Sequence, residues 1–369
     1  MNTTPSERLN GLDHLRALAI ILVLTYHYRA FGHPAWIDTI GRFGWIGVDL
    51  FFVLSGFLIS DQLFDSIKKY NSIPLRSFFI KRFFRIIPPY FFTLFLYFCI
   101  PFFREREALS PLWKFVTFTH NYGLDVINRG TFSHAWSLCI EEQFYLFLPF
   151  SLLLLIKTKK LSWIKWLAPL LIIISIILRF IAWNEYIIPH LNSDKFWLEW
   201  YMKIYYPTYT RLDSLAIGVL IGYLHHHSAT FKRFIHSNGN ILFFSGAIIL
   251  GLSLWFCSDQ TSMHASIFGF TTVAISFGII LLSAISESSF LYRSYSWITV
   301  QLASLSYAVY LSHKGIIHII QNLTESSIIP TSGTLMLIIC LAGCILTGLL
   351  YRYVIERPAS RIKNKILGK

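Results

Sequence analysis

Charge is scarce in this sequence. Of its 369 residues only 14% are Asp, Glu, Lys or Arg, against about 25% in an ordinary soluble domain. Acidic residues are the scarcer kind, 19 against 32 basic ones, while 54% of the chain is hydrophobic. So little polar surface cannot cover a water-soluble domain of this size, which points to an integral membrane protein. Cysteine is sparse too. Cys99, Cys139, Cys257, Cys340 and Cys344 lie within or beside apolar runs, with no CxxC or Cys/His spacing. That argues against a metal site or a disulfide framework and reads them as small packing residues. Internal repeats, low-complexity stretches and an appended soluble domain are not evident. No small-residue cleavage site follows the first apolar run, so that run reads as a retained span. A single domain over 1–369 is expected, with its core at about 11–360.

What the chain has instead is apolar runs. A helix needs about 20 mostly apolar residues to cross a bilayer. Ten runs approach that length: 15–31, 44–63, 86–103, 138–156, 163–183, 205–224, 241–257, 266–285, 297–320 and 334–355. None alternates polar with apolar as a transmembrane strand does. The expected fold is therefore all-α, a polytopic bundle of about ten transmembrane helices. The gap at 104–137 has room for a short interfacial helix only. With the N-terminus inside, Lys and Arg in the connections favour the inner side by about three to one. Both termini are thus expected in the cytoplasm. The same bias accounts for the net charge of +13 without a nucleic-acid partner. Pro358 is expected to end the last helix, leaving a basic tail to contact anionic membrane lipids.

Charged residues inside such runs are costly, about 2.5–3.5 kcal/mol each on insertion scales, and usually face a cavity or a partner. The first run, "LDHLRALAIILVLTYHY", holds Asp13, Arg16 and His27. Arg16 and His27 are eleven residues apart, which returns to within ~20° of one helical face, ~16.5 Å along the axis. Asp13 lies within ~40° of that face. Spacing alone leaves a snorkelling arginine with a packing histidine equally open. In "HAWSLCIEEQFYLF", Ser137, Glu141 and Tyr145 share a face at i, i+4, i+8, with Glu141 at a depth similar to His27. "GWIGVDLFFVLSGFLIS" carries Asp49 and a Ser55–Gly56 pair suited to close helix approach. "TYTRLDSLAIG" carries Arg211 and Asp213, able to pair with each other or with other spans. "LSYAVYLSHKGI" carries His313 and Lys314. On the inner side, Arg82 and Arg85 in "FFIKRFFRIIPPYFF" are three apart, a spacing that suits a phosphate group as well as simple anchoring. The run His225–His227 is too weak a pattern to assign a metal, and none is expected.

These segments, together with "VIERPA", occur in the order found in the acyltransferase-3 family of multispan bacterial membrane O-acyltransferases, which the chain resembles. His14 departs from the pattern, where a small residue is common. Some members carry a further SGNH esterase-like domain, and this chain resembles the stand-alone type. The resemblance implies an acyl-CoA donor, usually acetyl-CoA, with no permanently bound cofactor. It also implies a glycan hydroxyl as acceptor and a bacterial cytoplasmic (inner) membrane location. Carried over by motif, His27 is the catalytic base, and Arg16, Arg82 and Arg85 bind the donor. Ser137, Glu141 and Tyr145 are active-site residues, and Asp13, Asp49, Arg211, Asp213 and His313 are further candidates. Glu141 or Asp49 is expected to orient the His27 ring. The runner-up class is a transporter or flippase for a glycan or lipid-linked precursor.

Overall fold

Every one of the ten apolar runs becomes a long helix in the computed structural model, which describes residues 9–325 and 329–368. They are α1 (Asn10–Tyr28), α2 (Ile46–Tyr70), α3 (Leu75–Cys99), α4 (Trp136–Lys157), α5 (Ile164–Ala182), α6 (Leu212–His227), α7 (Gly239–Phe256), α8 (Phe270–Ala284), α9 (Trp297–Leu323) and α10 (Thr334–Tyr351). No strand occurs among the described residues. Among the described residues, six helical stretches are long and apolar enough to cross a membrane: Ile46–Tyr70, Ser133–Lys157, Leu161–His190, Gly239–Phe256, Ala265–Ala284 and Thr334–Ile366. The four long helices outside that set are α1, α3, α6 and α9. All four carry candidate functional groups: Asp13, Arg16 and His27 on α1, Arg82 and Arg85 on α3, Asp213 on α6, and His313 on α9. α6 is only 16 residues long. Residues 1–8, 326–328 and Lys369 of the expected domain lie outside the described residues.

The boundaries differ from the expected ones where polar residues continue a helix. α3 begins at Leu75, so Lys81, Arg82 and Arg85 stand on the helix rather than before it. Pro358 does not end the last helix. It occupies the first turn of a further helix, Arg357–Ile366, where a missing N–H costs nothing. The gap at 104–137 holds the short helix Leu112–Val116.

Packing is tightest between α2 and α6. A Cβ on Gly56 would collide with the Leu215 carbonyl, and one on Gly218 with that of Val53, so glycine is required on both sides. α1 lies between α2 and α9, and α9 also packs on α10 and α3. His14, the departure from the family pattern, ties α1 to the start of α9 through Thr299 Oγ1 (2.8 Å) and the Ser294 carbonyl (3.1 Å). Outward faces of α5, α7 and α10 expose Ile177, Ile248, Leu252, Trp255, Leu346 and Leu350. An apolar exterior round a polar centre is what a bundle surrounded by lipid requires.

Candidate active site

Three cavities follow one another along the bundle. The first, about 590 Å³, opens at the basic end. Lys81, Arg82 and Arg85 of α3 line it with Arg352, Arg357 and Lys363 from near the end of the chain, and Glu356 is its one lining carboxylate among the described residues. Arg352 Nη1 donates to Gln301 Oε1 and Ser304 Oγ, each at 3.1 Å. Of the basic tail expected to contact lipid, Lys363 lines this cavity, carried there by the helix begun at Arg357. The "VIERPA" segment was the available signal.

The second cavity, about 290 Å³, shares Gln62, Arg82, Arg85, Ser306 and Tyr307 with the first. Arg16 enters it from α1, and Ser137, Glu141 and Tyr145 enter together from α4, as their spacing requires. Tyr145 donates its hydroxyl to Glu141 Oε2 at 2.7 Å and lies 3.1 Å from Ser55 Oγ. Arg82 Nη2 donates to Gln62 Oε1 at 2.8 Å, with its guanidinium 5.6 Å from the Tyr145 ring. Asp13 stands 3.9 Å from Arg16 as its ion-pair neighbour.

A partition separates this cavity from the third. Tyr310 donates its hydroxyl to the His134 carbonyl at 2.7 Å. The 2.5 Å contact between Tyr310 and Ser137 is then a donation from Ser137 Oγ to the phenol oxygen. Val48 lines both sides.

The third cavity, about 430 Å³, contains His27 and His134. His27 Nδ1 lies 2.8 Å from His313 Nε2, the rings stacked at 4.9 Å. Among the described residues His313 Nδ1 faces only the carbonyls of Tyr310 (2.8 Å) and Val309 (3.2 Å), so it carries a proton. In a neutral ring His313 Nε2 is therefore an acceptor, and His27 Nδ1 must be the donor. That leaves His27 Nε2 with a free lone pair. His134, which sequence reasoning quoted but did not assign, stands 4.7 Å from His313 and 5.8 Å from His27, ring to ring. Its signal was its position three residues before Ser137. Lys314, the neighbour of His313, bonds Ser133 Oγ at 3.1 Å and stands 3.9 Å from Glu105.

The carboxylates expected beside His27 are engaged elsewhere. Glu141 is on the far side of the partition, bonded to Tyr145. Asp49 Oδ1 accepts from Arg211 Nη2 and Ser214 Oγ, both at 2.9 Å. Asp213 Oδ2 accepts from Arg179 Nη1 at 2.8 Å and Thr271 Oγ1 at 2.6 Å. Arg211 and Asp213 thus pair with other helices and not with each other. All four ion-pairing side chains are fully buried, which makes them bolts between α2, α5, α6 and α8. The Arg211 guanidinium also lies 4.0 Å over Phe270. The residue beside His27 Nδ1 is instead His313, which shares α9 with the carbonyls that fix its tautomer.

At the rim, Arg29 Nε donates to Asp38 Oδ1 at 2.9 Å, and His33 Nε2 to Asp38 Oδ2 at 3.0 Å. His33 Nδ1 donates to the Phe31 carbonyl, and this bond together with Asp38 holds His33 above its ordinary pKa. The same His33 and Arg29 bonds hold Asp38 below its own. Among the described residues, metal-ligand spacing occurs at Asp61, His225 and His226, whose ligand atoms lie within 4.8 Å at the basic end. There His226 Nε2 bonds Asp61 Oδ1 directly at 2.8 Å.

Residues 9–352 match the family described as an acyltransferase domain, Acyl_transf_3. The chain is 29% identical over 326 residues to the peptidoglycan O-acetyltransferase OatA of Listeria monocytogenes, covering 83% of this chain and 49% of the relative. It is 28% identical over 345 residues to the "Putative O-acetyltransferase" of Staphylococcus aureus strain COL, covering 87% and 52%. It is 27% identical over 370 residues to the "Putative peptidoglycan O-acetyltransferase YrhL" of Bacillus subtilis, covering 94% and 54%. The chain thus spans about half the length of the curated relatives it matches. No solved structure matches it.

Proposed function

The chain belongs to the acyltransferase-3 family, and from that premise we propose that it is a membrane O-acyltransferase. It moves an acyl group, acetyl from acetyl-CoA, to a hydroxyl of a cell-surface glycan. The observation that carries this reading is the line of cavities: cations at the basic end, a middle chamber, then His27 with a free Nε2. In this reading the bundle has ten spans in the bacterial cytoplasmic membrane, with both termini and the basic end inside. The relatives named as peptidoglycan O-acetyltransferases support a glycan acceptor.

The phosphate-rich end of CoA suits Arg82 and Arg85, backed by Arg352 and Arg357, because guanidinium forks match phosphate oxygens. The thin pantetheine arm then runs past Arg16 and the Ser137–Tyr310 partition towards His27. The acceptor hydroxyl loses its proton to His27 Nε2 as its oxygen attacks the thioester carbonyl carbon. The tetrahedral intermediate collapses and the C–S bond breaks. The CoA sulfur leaves and takes the proton back from His27. Ester and free CoA are the products, and no oxidant or further reactant is needed. His313 holds the His27 ring in the required tautomer and shares the charge when the ring is protonated, as the third group of a catalytic triad does.

The test is genetic and direct. A strain lacking the gene is complemented with the wild type or with His27→Ala, and ester-linked acetate on its glycans is measured. Acetate returns with the wild type and stays absent with the variant. Full acetylation by a normally inserted His27→Ala protein overturns the base assignment. Acetyl-CoA-dependent CoA release by purified protein, stimulated by a glycan acceptor, separates an enzyme from a transporter.

A further inference from the structure

We propose that the third cavity selects an acceptor that is an acidic sugar, carrying a carboxylate or phosphate near the hydroxyl to be acylated. This rests on the reading of that cavity as the acceptor site. Three cations line it, Arg29, Arg106 and Lys314, and no Asp or Glu does among the described residues. Their charges are unequally compensated. Arg29 is paired with Asp38 at 2.9 Å, and Lys314 has Glu105 at 3.9 Å. Arg106 bonds the Val126 carbonyl at 2.7 Å and has no carboxylate partner among the described residues. A carbonyl fixes the guanidinium without neutralising it, so an unspent, oriented cation faces the chamber. Arg106 is exposed at the chamber, and an uncompensated cation in a concave wall attracts anions.

Much of the rest of the wall is aromatic. Trp136 packs on Tyr205 (4.9 Å) and Tyr206 (5.2 Å), and Tyr206 stacks on Tyr201 at 5.2 Å and 20°. Flat rings beside polar groups are the surface on which the C–H faces of a sugar ring rest. A volume of about 430 Å³ lies within the usual range of small-ligand pockets, ~300–1,000 Å³. A neutral sugar would use the aromatic wall and leave Arg106 without an anion. A bare anion would use Arg106 and leave the rings idle. An acidic sugar uses both, and its bound anion would fix which hydroxyl meets His27 Nε2.

Cell glycans are separated by anion exchange into neutral and acidic fractions, from a strain lacking the gene and from the same strain carrying wild type, Arg106→Gln or Arg106→Lys. Membrane insertion of each protein is checked by immunoblot. Ester-linked acetate is expected to vanish from the acidic fraction in the deleted strain and to return with wild type. Arg106→Gln should restore at least tenfold less, and Arg106→Lys, which keeps the charge, most of it. Phosphorus analysis of the acetylated fraction distinguishes a phosphate-bearing from a carboxylate-bearing acceptor. Acetate lost only from the neutral fraction, or full restoration by Arg106→Gln, overturns the proposal and leaves the acyltransferase reading intact. No change of acetate in either fraction overturns the glycan acyltransferase reading itself, and the proposal with it.

Discussion

His27 Nδ1 and His313 Nε2 stand 2.8 Å apart, and two backbone carbonyls on the far side of His313 decide which of them carries the proton. The tautomer of the proposed base is therefore written by the α9 backbone, through a second imidazole. Replacing His313 with alanine should leave His27 free to rotate and to adopt the wrong tautomer, lowering kcat about 10–100-fold, with KM for acetyl-CoA little changed. His313→Gln, whose amide oxygen can accept from His27 Nδ1, should recover part of the loss. The pH–rate profile is the discriminating readout: a positioning role moves its limbs, whereas a purely structural role lowers it uniformly.

Arg82 lines both the first and the second cavity. A charge-assisted hydrogen bond contributes ~1.5–3 kcal/mol. Arg82→Ala and Arg85→Ala should each raise KM for acetyl-CoA about tenfold or more, the effect shrinking as salt screens the wild type. Unchanged donor dependence in both variants would mean that the arginines only anchor the bundle.

Asp49 is bound to Arg211 in the interior. Asp49→Ala strands the Arg211 charge in the interior and should cost about 3–5 kcal/mol of stability. Thermal unfolding in detergent should show a markedly lower midpoint, and Asp213→Ala should do the same through Arg179. An unaltered midpoint in both would remove the structural assignment.

The rim should respond to pH. His33 is held above its ordinary value of 6.5, so its stabilisation is complete below that value and is lost as pH rises through the raised pKa. Asp38 is held below 3.8, so its contribution is present above 3.8 and is lost as pH falls through the lowered pKa. The segment 31–41 should be firmest between about pH 4 and 6.5 and looser at pH 8. Hydrogen exchange at pH 5 and 8, corrected for intrinsic rates, measures this, and His33→Ala should abolish the difference.

The sequence by itself determined that this chain is a helical bundle with an apolar exterior. Run length and composition are local properties, and all ten long helices stand where apolar runs do. It also determined which side chains share a helix face: Ser137, Glu141 and Tyr145 meet in one cavity because a fixed 3.6-residue period puts them there. Only the tertiary structure decided which faces meet. The partner of His27 is 286 residues away, and no spacing rule reaches that far. Helical period put Arg16 and His27 on one side of α1, but the Ser137–Tyr310 bond, made between α4 and α9, divides that side into two chambers. Asp49 looked available to orient a base and proved to be bound to Arg211, because a buried carboxylate takes the nearest cation that packing supplies. His134 joined the site for the same reason: its chain neighbours gave it no role, and two other helices did.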